Sequence, residues 1–419
     1  MNHVLVRLRG FEKLTTIEEA KKTFFKRLEM DILENVKISL KEALNRVIAE
    51  DIIAGKDLPP FDRSAVDGYA VKAQSTFGVS QFNPKKLEIV NGPIIGENQA
   101  VEIWTGNPLP EGANAVIMLE YGRKINAKIV EVWKPVAPGD NVSKRGEDIR
   151  KGEIVVKAGT RLKPHHLGLL AALGFVAVKV LRKPRVAVLA TGNELVEPGK
   201  TLTSEQVVEV NRIILSGLCQ QLGCEAVDLG IVRDDLEEIT SRIQKGLEIA
   251  DIVITTGGTS VGIKDLVPEA VNKLGKPGVI VHGIAMRPAM PTALGIVQNK
   301  PIIVLSGNPV AAMIGFEVFA KPLILKMLQI PTLEIYALKA KLTRKVSSVL
   351  GRRSFLRVYA YMENGEFYAS PVRVMGSSIL STMSRANGYI IIPENRGGLE
   401  AGENVTVYLF NYLGGKEDV

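Results

Sequence analysis

Residues 251–265 read DIVITTGGTSVGIKD, and this stretch decides the fold. The unbroken apolar run around Val253 is typical of a strand that is buried on both faces of a parallel sheet. Gly257 and Gly258 follow the run and permit positive φ and close approach of the backbone to a ligand. Asp265 then precedes a predicted helix, LVPEAVNKL. A strand, a glycine turn and a helix start leave N–H groups that suit an anion, although glycine also serves there for tight connections alone.

Three further apolar runs end in polar residues. RVAVLATGNE ends at Glu194, AVDLGIVRDD ends at Asp234 and Asp235, and PIIVLSGNP ends at Pro309. In open α/β sheets the ligand lies beyond the carboxyl ends of the strands. Core packing does not need the hydroxyls, amides and carboxylates found at these ends. The sequence therefore predicts a polar binding site at the carboxyl edge of a parallel sheet.

The composition indicates a globular chain. With 419 residues and 46% hydrophobic content, it is long enough for two to four domains. No apolar run of about 18 residues predicts a membrane helix, and the first residues lack the pattern of a secretory signal. Cys219 and Cys224 are too few for a disulfide framework and are expected to be small buried residues. A cytoplasmic setting is expected.

The net charge of +8 raises the question of nucleic-acid binding. Basic and acidic residues balance within residues 182–328, and the excess is spread over the flanking segments. A Lys/Arg-rich run with interleaved aromatic residues is missing from the sequence. A small anionic substrate is therefore favoured over nucleic acid.

Changes in the residue pattern along the chain predict a multidomain α/β protein with four parts. Helical patterns occur in TTIEEAKKTFFKRLEM, KISLKEALNRVIAEDI and PHHLGLLAALGF. The adjacent His165 and His166 would diverge on a helix, which favours a structural use over a shared metal. Asn364-Gly365 predicts a β-hairpin. The predicted domains are a helical domain I (1–52 plus 153–181), a β-rich insert domain II (53–152), an α/β domain III (182–328) and a C-terminal β domain IV (329–419).

Seven motifs, in order and spacing, resemble the molybdopterin molybdenumtransferase (MoeA) family, which also includes the C-terminal domain of gephyrin. They are PPFDRSAVDGYAV, WTGNPLPEGANAVIM, RGEDIRKG, ATGNEL, DLGIVRDD, TTGGTSVGIKD and SGNPVAA. The resemblance implies a three-layer α/β molybdopterin-binding domain, a β-barrel-like C-terminal domain and a homodimer. It implies insertion of molybdenum from molybdate into adenylylated molybdopterin, with Mg²⁺ and release of AMP. Molybdopterin adenylyltransferase and molybdoenzyme apoproteins are further candidate partners.

The same resemblance assigns site residues. It implies that substrate is bound by Gly257, Gly258, Thr259, Ser260, Ser306, Gly307, Asn308 and Pro309. It implies catalytic roles for Asp265, Asp234, Glu194, Asp67, Thr105 and Asp148. Asp265 and Asp234 are the candidate Mg²⁺ ligands, since cleavage of a phosphoanhydride needs charge neutralisation. The alternatives are that a strand-end Asp caps a helix, that Asp67-Gly68 is only a turn, and that Asp148 only fixes its loop.

For the tetrahedral oxyanion, the resemblance indicates Arg287, Arg357 and Ser377. Arginine offers a fixed fork of donors for such an anion. The alternatives are that Arg287 pairs with a surface carboxylate and that Arg357 lies on a solvated strand face. Met290 and Gly283 stand where family members have lysines, and Ser306 replaces a proline, so the choice between molybdate and tungstate stays open.

Two other functions are compatible with a similar α/β domain. One is ATP-dependent adenylylation of molybdopterin, and the other is a gephyrin-like interaction scaffold. The additional domains favour metal insertion over adenylylation, and the sequence shows no sign of a peptide groove.

Overall fold

The computed structural model of the chain describes residues 14–30, 33–258, 265–330, 336–372, 376, 378–410 and 413. The chain divides into two compact units. The larger unit comprises Met1–Asn35 and Leu181–Val419, and the smaller unit comprises Val36–Val180. Among the described residues, no helix is both long and apolar enough to cross a membrane.

A three-layer α/β domain forms the centre of the larger unit. Its sheet has the strand order Glu225–Val232, Arg185–Thr191, Ile252–Thr256, Lys300–Leu305, Ala293–Val297 and Pro277–His282. The first four strands are parallel. Ala293–Val297 pairs antiparallel with both of its neighbours, so Pro277–His282 runs in the same direction as the first four strands. Every residue of Ile252–Thr256 is buried, as the apolar run predicts. The α/β prediction for this region is confirmed.

Helices cover both faces of this sheet. Leu236–Ile249 and Leu266–Leu274 bury Ile239, Val267 and their neighbours against one face. Asn211–Gln221 and Pro309–Gly315 contact each other and strands of the sheet. A π-helical segment, Phe316–Ala320, and the helix Lys321–Met327 follow, and the short strands Leu195–Val196 and Val207–Val208 form a separate pair. Cys219 and Cys224 are both buried, as expected.

The first helix, Ile17–Arg27, begins with the predicted capping box, in which Thr16 and Glu19 bond each other's backbone. It contacts the antiparallel strands of the α/β sheet. The second predicted helix, over KISLKEALNRVIAEDI, is wrong. The chain there forms the strand Asn35–Ser39, a 3₁₀ turn at Leu40–Glu42 and the strand Ile52–Ile53. Val36 and Ile38 alternate with exposed residues, so the two-residue period of a strand prevails over helix propensity.

The C-terminal strands close into a barrel. The ring runs through Arg353–Glu363, Glu366–Pro371, Ala337–Leu342, Asn404–Leu409 and Gly388–Ile392, and the last strand pairs with the first. Met286–Arg287 joins the edge of Arg353–Glu363 in parallel. The hairpin at Asn364 and Gly365 is confirmed, with φ of 50° and 80°. Shorter elements are Val346–Ser347, Gly398–Leu399 and the helix Ser381–Arg385.

The smaller unit contains a β-rich domain. Its main sheet has the order Ala115–Met118, Gly68–Val71, Gln99–Ile103, Lys85–Ile89, Ile129–Val132 and Gly122–Asn126. The short strands Arg63–Ser64, Val142–Ser143 and Ile154–Val156, the strand Ala177–Leu181 at the edge of the unit and the helix Pro164–Ala172 complete it. The exact domain boundaries proposed from the sequence stay predictions.

His166 caps the helix Pro164–Ala172, because its Nδ1 accepts a hydrogen bond from the Lys163 N–H at 3.0 Å. Burial, and then the neighbouring His165, lower the pKa of His166. The cap needs the neutral ring, so its contribution is complete above the unfolded pKa of about 6.5 and is lost as the pH falls towards the lower folded pKa.

We predict that acidification from pH 7.5 to 5 costs the wild type more stability than a His166→Gln variant. Glutamine can accept at the same position without titrating. A cap contributes about 1 kcal/mol, or about 2–4 °C in Tm for a unit of this size. Thermal unfolding of both proteins at the two pH values measures the difference. Equal losses of Tm on acidification would show that His166 is not the titrating cap.

Candidate active site at the strand ends

The turn after Ile252–Thr256 brings three strand ends together. Gly257 has a φ of 87°, and its N–H donates to the Leu305 carbonyl at 3.2 Å. A β-carbon at residue 257 would lie 2.1 Å from the Thr191 carbonyl oxygen. Only glycine allows this approach, so this residue links the ends of Arg185–Thr191, Ile252–Thr256 and Lys300–Leu305. We call the residues at these ends, with those following Glu225–Val232, the strand-end site.

Asn211 fixes the neighbouring turn, Ser306–Gly307–Asn308. Its Nδ2 donates to the Gly307 carbonyl at 2.8 Å, although the two residues are 96 positions apart. Asn211 is 6% exposed, and its Oδ1 has no hydrogen-bond partner among the described residues. Sequence reasoning missed this residue, because nothing in VEVNRIIL indicates a contact with SGNP.

Arg212 connects the site to the edge of the sheet. Its guanidinium donates to Glu209 at 3.0 Å, to Asp228 at 2.6 Å and to Glu197 at 2.6 Å. Glu197 follows the loop that carries Glu194, and Asp228 belongs to Glu225–Val232. The buried arginine thus fixes that loop beside the strand ends. Glu194 itself is exposed, and its carboxylate lies against Gly192, where a β-carbon would be 2.8 Å from Oε2.

Two adjacent carboxylates after Glu225–Val232 have different roles. Asp235 caps the helix Leu236–Ile249, since its Oδ1 accepts from the Glu238 N–H at 2.8 Å. Asp234 is exposed, and its backbone N–H donates to Asn193 Oδ1 at 3.1 Å. The cap alternative therefore applies to Asp235, and the Asp234 carboxylate remains available to a ligand.

Asp265 precedes the helix Leu266–Leu274 without capping it through its side chain. Its Oδ1 is buried and accepts no hydrogen bond from the described residues. Burial raises the pKa of the Asp265 carboxyl, and the charge of nearby His282 opposes that rise. A buried carboxylate oxygen without a donor is costly and suits a cation.

Among the other predicted residues of this site, Gly258 lies beside Val267 with a φ of 60°. Pro309 begins the helix Pro309–Gly315, and Asn308 occupies its N-cap position. Thr259, Ser260 and Ser377 lie outside the described residues. Thr191, which sequence reasoning did not select, is 2% exposed and borders Gly257 and Gly258.

A cavity of about 450 Å³ lies between the α/β domain and the barrel within the larger unit. Arg287 and Arg357 both line it, together with Ser306, Asn308 and Met290. Arg357 is 3% exposed, so the solvated-face alternative is wrong for this residue. Its Nη2 donates to Gly376 at 3.4 Å, and its Nε has no partner in the described part of the chain. Burial, and then the charge of Arg287, lower the pKa of Arg357.

In the smaller unit, Asp67 and Thr105 form a pair. The Asp67 carboxylate accepts from the Thr105 hydroxyl and from its N–H, each at 2.7 Å. These bonds, first from the hydroxyl and then from the backbone, lower the pKa of Asp67. The contact joins the two motifs SAVDGYA and WTGNP, and leaves an exposed, ionised carboxylate.

Asp148 is also exposed. Its loop, KRGEDIRKG, is fixed by two other carboxylates that sequence reasoning missed. Asp57 accepts from Arg145 Nε at 2.6 Å and from the Lys151 N–H at 2.9 Å. Asp62 accepts from Lys144 Nζ at 2.8 Å.

A resident metal would have to be bound by few protein ligands. Among the described residues, no group of three His, Cys, Asp or Glu side chains could hold an ion. Mg²⁺ often uses only one or two carboxylates and takes its remaining ligands from water and substrate phosphates. The buried oxygen of Asp265 fits such a ligand. Asp234 follows Glu225–Val232, two strands from Ile252–Thr256 in the sheet, and is exposed, so it is the second candidate.

Glycine turns at neighbouring strand ends, a carboxylate with a buried oxygen and a cavity lined by guanidinium groups are features of an α/β protein suited to anionic ligands. Comparison with known protein families identifies the family to which this α/β protein belongs. Residues 15–174 match the MoeA N-terminal region (domains I and II). Residues 187–326 match a probable molybdopterin binding domain, and residues 339–410 match the MoeA C-terminal region (domain IV).

Individual relatives agree. A putative molybdopterin biosynthesis protein of Methanocaldococcus jannaschii is 39% identical over 95% of this chain and 98% of its own length. The molybdopterin molybdenumtransferase of Bacillus subtilis is 35% identical over 91% of each chain. The crystal structure of a molybdopterin biosynthesis MoeA protein from Pyrococcus horikoshii covers 96% of this chain and 100% of that one, with 36% identity and a TM-score of 0.80. The chain belongs to the MoeA family of molybdenum cofactor biosynthesis.

We predict that Asn211→Ala weakens the binding of molybdopterin by about five- to tenfold, because the lost bond to Gly307 contributes about 1 kcal/mol to the order of the turn. Equilibrium dialysis measures the affinity. Gln221→Ala, an exposed position at the far end of the same helix, is the matched control. Wild-type affinity in a folded Asn211→Ala protein would contradict the assignment.

Proposed function

We propose that the chain is a molybdopterin molybdenumtransferase that inserts molybdate, or tungstate, into adenylylated molybdopterin and releases AMP. The observation that carries the proposal is the presence, in one unit, of strand-end turns suited to phosphates beside a cavity lined by arginines. The substrate has matching parts, namely a phosphoanhydride and a dithiolene that receives an oxyanion.

The phosphates would lie on backbone donors of the strand-end site. Gly257 and Gly258 begin one turn, Ser306, Gly307 and Asn308 form the other before Pro309, and Thr259 and Ser260 are further candidate ligands of the substrate. Because Gly257 and Asn211 fix these turns, the N–H groups of Gly258 and Gly307 need little reorganisation to meet an anion. Glu194 borders the same edge, where it can accept a proton or orient a water.

Asp265 is the first candidate ligand for Mg²⁺, and Asp234 the second. Bound there, the ion would neutralise charge on the phosphoanhydride as the bridging P–O bond breaks. A water oxygen completes the new phosphate and AMP leaves. Burial raises the pKa of Asp265, and a cation beside the carboxylate would oppose that rise by favouring the ionised form.

The oxyanion would lie in the cavity with Arg287 and Arg357, and Ser377 is a further candidate donor. Two guanidinium forks match the negative oxygens of a tetrahedral dianion. The two dithiolene sulfurs then replace one oxygen of molybdate, which leaves as water with the two thiol protons. Molybdenum keeps its oxidation state.

We further propose a homodimer in which Asp67, Thr105 and Asp148 of one subunit contribute to the site of its partner. The bond between Asp67 and Thr105 keeps this carboxylate ionised on an exposed surface, where it is available to another subunit. The resemblance also suggests molybdopterin adenylyltransferase and molybdoenzyme apoproteins as partners. A cytoplasmic location is proposed from the low cysteine content.

The decisive experiment offers the purified protein adenylylated molybdopterin with molybdate and Mg²⁺, or molybdopterin with ATP. We expect AMP from the first mixture and no pyrophosphate from the second. Pyrophosphate from the second would indicate an adenylyltransferase. Turnover in neither would favour an interaction scaffold.

In that assay, we predict that Asp265→Asn and Asp234→Asn lower the rate of AMP release by about a hundredfold or more, because each loses a charge that stabilises the transition state. Asp235→Asn is the matched control, since asparagine still caps the helix. Unchanged AMP release in both variants would refute the metal assignment.

Mixing two inactive proteins tests the composite site. We predict that Asp67→Ala and Asp265→Ala subunits regain part of the activity after they exchange, because each heterodimer carries one intact site. Exchange is followed by native mass spectrometry. Confirmed heterodimers without activity would exclude a shared site.

A further inference from the structure

Arg352 is a third arginine of the cavity that contains Arg287 and Arg357. It immediately precedes the strand Arg353–Glu363, is half-buried, and lines the same 450 Å³ space. Sequence reasoning did not select it, because in GRRSFLR it is one of two adjacent arginines with no visible difference between them.

Arg352 and Arg353 have different surroundings in the structure. Arg353 is neutralised by carboxylates: its Nη2 lies 3.0 Å from Glu394 Oε1, and its Nη1 bonds Glu18. Arg352 forms no ion pair with any residue that the structure describes. Arg353 therefore joins elements of the fold, whereas Arg352 lines the cavity without a carboxylate partner among the described residues.

The cavity as a whole lacks negative charge. None of the described residues that line it is Asp or Glu. Arg287 and Arg357 are close enough that the charge of the first lowers the pKa of the second. Three arginines and no carboxylate around one cavity make it a favourable place for an anion.

The positive charge of the cavity also affects which anions bind there. A volume of 450 Å³ corresponds to about fifteen waters at about 30 Å³ each, so the walls do not enclose a five-atom anion tightly. Size is therefore a weak criterion here. Charge is a strong one, because each added guanidinium attracts a dianion about twice as strongly as a monoanion of the same shape.

We infer that Arg352 is a third cationic ligand of the oxyanion site and selects for doubly charged tetrahedral anions. This inference rests on the proposed function, since it assumes that the oxyanion binds beside Arg287 and Arg357.

Tungstate and perrhenate test the inference, because both are tetrahedral and similar in size but carry two charges and one. Binding to the full-length protein is measured for each anion by isothermal titration. We expect Arg352→Gln to weaken tungstate binding by about tenfold or more and perrhenate binding much less. Arg352→Lys should recover part of the tungstate affinity, since it keeps the charge without the fork.

Two reference variants make the outcomes separable. Arg385→Gln removes an exposed arginine from the same domain and should change neither affinity. Arg287→Gln should weaken tungstate binding whether or not Arg352 takes part. Wild-type tungstate affinity in Arg352→Gln, with a loss in Arg287→Gln, would overturn the role of Arg352 alone. Wild-type affinity in both would overturn the proposed oxyanion site itself.

Equal losses for tungstate and perrhenate in Arg352→Gln would also overturn the inference, because they would indicate a change of cavity shape. If Arg352→Gln does not fold, Arg352→Met decides, because it also removes the charge: wild-type tungstate affinity in that variant would overturn the inference.

Discussion

The Thr191 carbonyl oxygen and the α-carbon of Gly257 lie so close that no side chain fits between them. Their strands pair in parallel up to Ala190 and Thr256, and Gly257 then donates to Leu305 of the next strand. Three strand ends are therefore fixed at one edge of the sheet. The backbone N–H groups that follow these strand ends therefore stay at fixed positions relative to one another. A phosphate can then bind to them without rearrangement of the backbone.

Charged residues with a structural role differ from candidate ligand-binding residues in whether their polar atoms have partners within the protein. Glu209, Asp228 and Glu197 surround Arg212, and their bonds fix a helix start, a strand and a loop together. Asp57 does the same for the loop of the smaller unit. Asp265 and Arg357, by contrast, are buried groups whose polar atoms lack full partners among the described residues. Groups of the second kind are costly to the fold, so their presence is better explained by a ligand.

Sequence patterns predicted the strand ends because parallel strands share one carboxyl edge, whatever the details of packing. The hairpin at Asn364 and Gly365 followed equally from local turn chemistry. The helix expected at 37–52 failed because a two-residue burial period decided the conformation. Asn211 and Arg352 could not be predicted, since one depends on a contact across 96 residues and the other on the pairing of Met286–Arg287 with Arg353–Ser354. Such contacts exist only in the tertiary structure.

The burial of Arg357 has a consequence for the lifetime of the protein. Its strand pairs with a neighbour on each side, so the guanidinium stays in the cavity, near the charge of Arg287, for as long as the barrel is folded. The ligand-free chain is therefore the less stable one, and an oxyanion that binds only the folded state adds RT ln(1 + [L]/Kd), about 2.7 kcal/mol at a hundredfold excess over Kd. Because degradation in cells follows the unfolded fraction, an oxyanion bound in this cavity would couple the abundance of the protein to the supply of that anion.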